Sequence, residues 1–212
     1  MLIPKLLKSG WAKPILFACC LLPFLLLVWN LFQNRLGANP VEMLTHETGE
    51  WTLRLLLLTL AVSPLRQWSG IAAIARFRRM LGLFAYFYVC CHFLVWFVFD
   101  HSLDVNDMIE DILDRPYITL GFCSFMLMAP LAITSNQVMI RKLGRSWNRL
   151  HRLVYPVAIL GVLHFLWLVK ADYLEPGIYA LILLLLLLHR IDPLKRISVK
   201  FSRLGNKTGE IV

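Results

Sequence analysis

Three histidines of this sequence lie inside apolar stretches: His92 in one stretch, and His151 and His164 in another. Placing an imidazole in hydrocarbon is costly, so a histidine at membrane depth indicates a ligand or a proton-handling group. His151 and His164 are thirteen positions apart, which is about 20 Å along a helix axis. One helix could therefore serve two sites at two depths. This pattern is typical of haem held between helices, and so of electrons crossing a bilayer.

The composition indicates a membrane protein. The chain has 212 residues, of which 58% are hydrophobic and only 17% charged, and its mean hydropathy is +0.65. The apolar residues come in long runs, as in chains that span a bilayer. The net charge of +9 could also indicate nucleic-acid binding. Because the basic residues flank the apolar runs, we favour the membrane and expect no nucleic-acid partner.

We predict an all-α integral membrane protein that forms a six-helix transmembrane bundle. A single domain covers residues 1–212, and the first apolar run is expected to be a retained span, because no small-residue cleavage motif ends it. The predicted spans cover residues 13–33, 49–66, 80–99, 116–134, 149–169 and 177–190.

The loop charges predict the orientation of the bundle. With six spans, four basic regions share one side of the membrane: Lys5, Lys8 and Lys13; Arg66, Arg76, Arg78 and Arg79; Arg141, Lys142, Arg145 and Arg149; Arg190, Lys195, Arg196, Lys200, Arg203 and Lys207. The other side is acidic, with Glu42, Glu47, Glu50, Asp100, Asp104, Asp107, Glu110, Asp111, Asp114, Asp172 and Glu175. The positive-inside rule therefore places both termini in the cytoplasm (N-in/C-in).

This topology brings His92 and His164 to one depth. The third and fifth spans both run outward, and each histidine lies past the midplane of its span, in the outer half. Two imidazoles at one depth can bind a haem iron from both faces, which suits electron transfer rather than oxygen activation. None of the five cysteines forms a C-x-x-C-H motif, so we expect non-covalent haem b.

His151 marks a second position, nearer the cytoplasm. The residue at the corresponding depth of the third span is Arg79, which cannot bind iron. Several interpretations stay open: a haem with a weak or absent sixth ligand, His189 as that ligand, a flavin or quinone at this depth, or a structural histidine at the membrane boundary. The spacing also puts His151 and His164 about 140° out of phase on a helix. Pro156 lies between them and is expected to kink it.

Other polar residues near the outer boundary have a structural and a functional interpretation. Arg54 follows Glu50 by one helical turn, so an i,i+4 ion pair is the interpretation we favour over a counter-charge for a haem propionate. His46 and His101 are expected to be solvated or to pack in loops. The acidic loop from Asp100 to Asp114 could dock a partner, although a solvated loop is commoner.

Short motifs occur in order along nearly the whole chain: LGANPV from residue 36, HETG from 46, SPL from 63, RRMLGL from 78, RPYITLG from 115, LAITS from 131 and RKLG from 141. Together with the three histidines, they resemble the MsrQ family, the haem-binding membrane subunits of protein-methionine-sulfoxide reductase systems in the ferric-reductase-like transmembrane group. The haem-associated histidines of that family match His92, His151 and His164.

The resemblance implies a multi-pass protein of the bacterial inner membrane with one or two haems b and FMN. It implies electrons from the respiratory quinone pool or a cytoplasmic flavin reductase. The acceptor would be a periplasmic molybdopterin subunit that reduces methionine sulfoxide in oxidised periplasmic proteins. This chain would then be an electron-transfer subunit without catalytic residues of its own.

Two alternatives are kept. A ferric reductase or oxidase-like membrane core uses the same chemistry, but the sequence has no dehydrogenase domain and no nucleotide-binding glycine motif. A proton-coupled transporter would use the histidines as a proton relay. Transporters often contain internal repeats, and we expect none here.

Overall fold

The computed structural model describes Leu7 and residues 9–191, and no β-strand occurs among them. The helices are α1 (Ala12–Phe32), α2 (Pro40–Ser69), α3 (Arg78–Val95), α4 (Val105–Asp114), α5 (Pro116–Ile133), α6 (Gln137–Leu143), α7 (Arg145–Leu150), α8 (Val154–Leu168) and α9 (Leu174–Ile191). Two 3₁₀ segments, Ala72–Phe77 and His151–Leu153, precede α3 and α8, and a π-helical turn, Trp96–Asp100, follows α3. The predicted all-helical class is confirmed for these residues.

Each of the six predicted spans coincides with one of the longer helices. By length and composition, four described helical stretches could cross a membrane: Ala12–Phe32, Ala72–Asp100, Pro116–Ile133 and Arg145–Leu168. The count of six spans and the N-in/C-in orientation stay predictions. Part of the basic residues used for that orientation lie outside the described residues: Lys5, Lys8, Lys195, Arg196, Lys200, Arg203 and Lys207.

Helix α2 begins at Pro40, well before the predicted start at residue 49. Asn39 caps it: its Oδ1 accepts the Glu42 N–H at 3.3 Å, and its Nδ2 donates to the Glu42 carboxylate at 3.0 Å. Pro40 takes the first helical position, where a missing N–H costs nothing. The prediction missed this start because it followed the apolar run, which begins later than the cap.

Helix α2 is the central helix of the bundle. The consecutive residues Leu55, Leu56 and Leu57 are all buried, whereas Leu58 is 48% exposed, so protein covers most of the helix and one narrow face is left open. It packs along α3, and α5 packs along α8 in the same way. These two helix pairs enclose the core, and each pair carries one of the two histidines that are predicted to share a depth, His92 on α3 and His164 on α8.

A tyrosine stabilises a break in α1. Pro23 lies inside this helix, and the Tyr88 hydroxyl of α3 enters the helix one residue later. That hydroxyl accepts the Phe24 N–H at 3.0 Å and donates to the Cys20 carbonyl at 2.9 Å. These two backbone groups would otherwise bond each other along the helix. Tyr88 is fully buried, so no water is available to replace its hydroxyl.

Helix α8 does not begin as a regular helix at the predicted boundary. His151–Leu153 form a 3₁₀ turn, and the α-helix starts at Val154. Pro156 therefore lies in the first turn, where its missing N–H breaks no bond within the helix. The irregularity between His151 and His164 is the 3₁₀ turn directly before α8, and the kink at Pro156 stays a prediction. The tighter 3₁₀ turn advances about 20° more per residue, which reduces the expected phase difference between His151 and His164 from about 140° to about 80°.

We predict that Tyr88→Phe destabilises the protein by about 1–3 kcal/mol, because the Phe24 N–H and the Cys20 carbonyl lose their buried partner. Thermal unfolding of the purified protein in detergent measures this loss. Tyr173→Phe is the matched control, since Tyr173 is 56% exposed and its removal should leave the midpoint unchanged. Equal midpoints for the two variants would contradict the proposed role of the hydroxyl.

Candidate functional site

A cavity of about 490 Å³ lies between the two helix pairs, which is within the usual range for ligand sites. Its walls are mainly aromatic and aliphatic, with Leu53, Leu56, Val89, Phe93, Phe122, Phe125, Met128 and Phe165 among the lining residues. His92 from α3 and His164 from α8 both line this space. The walls around the two imidazoles are therefore mainly apolar, and His92 and His164 share this space.

The two imidazole rings lie side by side. Their centroids are 6.3 Å apart and their planes are inclined by 80°. The Nδ1 atom of His92 lies 2.9 Å from the Thr45 carbonyl oxygen, and the Nδ1 atom of His164 lies 2.7 Å from that of Tyr117. A carbonyl oxygen can only accept, so each Nδ1 carries the proton and donates it.

This tautomer decides what the histidines can do. With the proton on Nδ1, each Nε2 keeps a lone pair for a ligand bond, and no protein group of the described chain hydrogen-bonds to either Nε2. A histidine that binds a metal usually donates its other N–H to a carbonyl or carboxylate, which fixes the ring and strengthens the ligand. His92 and His164 both have this arrangement. They form a ready pair of neutral nitrogen ligands.

Two glycines make room for the rings. A Cβ atom at Gly49 on α2 would lie 3.2 Å from the His92 ring, and one at Gly121 on α5 would lie 2.9 Å from Nδ1 of His164. Any larger residue would push the rings away from the carbonyls that hold them. Each glycine is one helical turn after the residue whose carbonyl binds the ring.

These contacts reveal a repeated helix pair. Thr45, Gly49 and His92 in the α2–α3 pair correspond to Tyr117, Gly121 and His164 in the α5–α8 pair, and every member is shifted by 72 positions. The expectation that the chain lacks an internal repeat is wrong for these helices. The repeat is hard to see in the sequence because only the glycine and the histidine are identical in the two pairs. The residues whose carbonyls accept from the histidines, Thr45 and Tyr117, are of different types.

His151 is engaged in local contacts at the other end of the bundle. Its ring stacks on Trp147 with centroids 3.8 Å apart, its Nδ1 lies 3.2 Å from the Trp147 carbonyl oxygen, and its Nε2 lies 3.3 Å from the Ser135 hydroxyl. His189, the suggested partner, instead contacts Gln67 and Trp68. The described structure therefore does not bring His151 and His189 together.

One end of the cavity is polar and contains residues in and next to the acidic loop from Asp100 to Asp114, which the sequence predicts to be solvated. His101, Asp111 and Arg115 line it. The side chains of His101 and Asp111 are only 11% and 12% exposed. The interpretation of His101 as a solvated residue is wrong, whereas packing within the loop is confirmed. His46 lies at the cavity edge and is exposed, as expected.

Arg54 makes the ion pair with Glu50 that its spacing predicted. Its Nε also donates to the Tyr179 hydroxyl at 3.0 Å, and its guanidinium lies over the Trp51 ring at 5.0 Å. The bond to Tyr179 joins α2 to α9. Glu50, rather than Arg54, lines the cavity.

Comparison with known proteins places this helical site in a class. A family model described as the ferric reductase like transmembrane component matches residues 48–162, a range that includes Gly49, His92, Gly121 and His151. The match spans more than half of the chain, which therefore belongs to the ferric-reductase-like transmembrane family.

Curated relatives carry the name protein-methionine-sulfoxide reductase heme-binding subunit MsrQ. The relative from Xanthomonas axonopodis pv. citri (strain 306) is 50% identical over 186 residues, which cover 85% of each chain. The relative from Herminiimonas arsenicoxydans is 49% identical over 182 residues, which cover 84% of each chain. This chain belongs to the MsrQ family within the ferric-reductase-like group.

We predict that Gly121→Ala lowers the stability of the protein by about 1–3 kcal/mol, because its Cβ overpacks the His164 ring. Gly82→Ala is the matched control on α3, where the nearest atom to a new Cβ is 3.6 Å away, an ordinary contact. Thermal unfolding in detergent compares the two. A Gly121→Ala midpoint equal to that of Gly82→Ala would contradict the close packing of this ring.

Proposed function

We propose that this chain is a haem b electron-transfer subunit that delivers electrons to the catalytic subunit of a methionine-sulfoxide reductase. One observation carries the proposal: two imidazoles, each fixed by a backbone carbonyl, share one apolar cavity in the membrane-spanning part of the chain. The names of the MsrQ relatives support both the cofactor and the reductase. A bound haem would supply a one-electron couple within the membrane.

The ring geometry fits a metal ion bound from both sides. Metal–imidazole bonds are about 2 Å long, so two imidazoles on opposite faces of one ion have their centroids about 6 Å apart. The observed separation is 6.3 Å. Rings on opposite faces can take any mutual rotation, so inclined planes are compatible with this arrangement. His92 and His164 are the residues that would hold the haem iron.

The other residues orient and protect this pair. The Thr45 and Tyr117 carbonyls hold the Nδ1 protons, so that Nε2 is always the ligand atom. Gly49 and Gly121 let the helices approach the rings closely. The aromatic lining excludes water, which favours electron transfer over side reactions. A haem held by both histidines would be suited to electron transfer rather than to oxygen activation.

The loop charges support an outward direction of transfer. With six spans and both termini in the cytoplasm, the His92–His164 pair lies in the outer half of a bacterial inner membrane. The acceptor would then be a periplasmic molybdopterin subunit that repairs oxidised periplasmic proteins. The donor would be the quinone pool or a cytoplasmic flavin reductase, which approaches from the side of His151.

The cytoplasmic end supports a second cofactor less well. Both ring nitrogens of His151 have protein partners, so binding iron would require Nε2 to leave Ser135. The cavity near His189 measures about 90 Å³, well below the size of typical ligand pockets. A second haem and an FMN site stay predictions that rest on the family resemblance.

We predict that His92→Ala or His164→Ala removes most of the low-spin haem spectrum, while His151→Ala leaves the outer haem largely intact. Absorption spectra and haem quantitation on the purified variants measure this difference. His151 is a suitable comparison because it lies at the start of the same helical stretch as His164.

Two outcomes would contradict this assignment. If His151→Ala alone abolished all haem, the depth pairing of His92 with His164 would be wrong. If the wild-type protein purified colourless and stayed so after haem reconstitution, the haem function itself would fail, and a proton-coupled transporter would become the better hypothesis.

The topology can be tested with reporter fusions. We expect a green fluorescent protein fused to the C-terminus to fluoresce, and alkaline phosphatase to be active when fused after residue 110 but inactive after residue 144. Both reporters act on one side of the membrane only, fluorescence inside and phosphatase outside. Phosphatase activity after residue 144 would reverse the proposed direction of electron transfer.

A further inference from the structure

The proposed haem has two propionate groups, and carboxylates inside a protein need cationic or hydrogen-bonding partners. The His92–His164 cavity is apolar around the two rings and polar at its outer end. The polar end is therefore the part of the cavity where an anionic group of the cofactor could bind, provided that the proposed haem function holds.

His101 is held over the cavity by an unusual backbone. The π-helical turn Trp96–Asp100 ends α3, and Ser102 and Leu103 then adopt the left-handed region with φ of +50° and +67°. Such φ values are unfavourable for residues other than glycine. The chain turns back, and the His101 ring packs edge-on against Trp96 with centroids 4.5 Å apart.

The buried Nε2 atom of His101 has no hydrogen-bond acceptor within the described chain. It lies 3.3 Å from a carboxylate oxygen of Asp111, close enough for an ion pair but not aligned for a hydrogen bond. A buried polar atom without a hydrogen bond is rare and points to a missing ligand. His101 is one of the residues that line the cavity, so an acidic group of a bound cofactor is a partner that suits this atom.

Arg115 lies on the other side of Asp111. Its Nε is 2.7 Å from the second carboxylate oxygen of Asp111, which uses one of the five N–H groups of the guanidinium. Arg115 directly precedes α5, two residues before the Tyr117 carbonyl that holds His164. The cation is thus fixed at the end of the cavity that contains the ligand pair.

Three carboxylates also line the cavity, and two of them are paired with neighbouring side chains. Glu50 is paired with Arg54, and Asp111 lies between His101 and Arg115. Asp100 is the other acidic residue of the lining. Arg54 itself, the earlier candidate for a counter-charge, is already bound by Glu50 and Tyr179 and does not line the cavity.

We infer that His101 and Arg115 bind the propionate carboxylates of the haem, and that Asp111 is the positioning residue that holds both. The segment from Trp96 to Arg115 is then the anion-binding end of the cofactor site. His92 and His164 would bind the iron, and this segment would bind the edge of the porphyrin that carries the propionates.

The test compares haem b with its dimethyl ester, which has the same iron and ring but no carboxylates. Both are titrated into the haem-free protein in detergent, and the Soret band reports binding and spin state. We expect the wild type to bind haem b at least about tenfold more tightly than the ester, the effect of one charge-assisted hydrogen bond.

His101→Gln and Arg115→Gln should each reduce that preference by about tenfold or abolish it, with the low-spin Soret position unchanged because the axial ligands remain. Arg115→Lys, which keeps the charge, should retain part of the preference. Arg35→Gln is the matched control, since Arg35 is exposed on another loop. Arg115 is 56% exposed, so its replacement should leave the fold intact.

The outcomes separate the two proposals. If the wild type bound both porphyrins equally, or if Arg115→Gln and His101→Gln kept the full preference, the anion-binding assignment would be overturned while the haem function stood. If the wild type bound neither porphyrin, the haem function would fail, and this inference with it.

Discussion

The structure depends on one constraint: inside a bilayer there is no water, so every polar group must find its partner within the protein. Tyr88 meets this demand by bonding both backbone groups at the break in α1. Ser124 meets it by donating to the Val157 carbonyl, which joins α5 to α8. His92 and His164 meet it because their Nδ1–H groups donate to the Thr45 and Tyr117 carbonyls. The bond that makes each buried imidazole tolerable also leaves its Nε2 free for a ligand, so one interaction serves both folding and function.

The same solution is used twice. In each helix pair, a carbonyl holds the histidine, and a glycine one turn later makes room for the ring. The two pairs face each other, and so the two free nitrogens meet in one cavity. Neither pair alone offers more than one ligand. The site therefore belongs to the packing of the pairs against each other, and a change that separates them removes the site without touching a histidine.

The sequence predicted part of this arrangement well. Counting residues along two apolar runs was sufficient to place His92 and His164 at one depth, because helix rise is regular. It could not identify Thr45 or Tyr117, since they act through backbone carbonyls that leave no mark in the residue type. Nor could it identify His101, because a π-helical turn and two left-handed residues direct its ring inward. The cap at Asn39 and Pro40 was visible in the sequence, but an apolar run is a poor guide to where a helix begins.

The repeat also explains why the two ends of the bundle differ. The shift of 72 positions carries Ser63 to Ser135 and Arg79 to His151. Ser135 bonds the His151 ring, while Ser63 accepts a hydrogen bond from the neighbouring Arg78. At the end with His92 and His164, both pairs present a histidine to the same cavity. At the end with His151, one pair presents cations where the other presents a histidine, and a guanidinium cannot bind iron. The repeated pair thus offers two imidazoles at one depth and only one at the other.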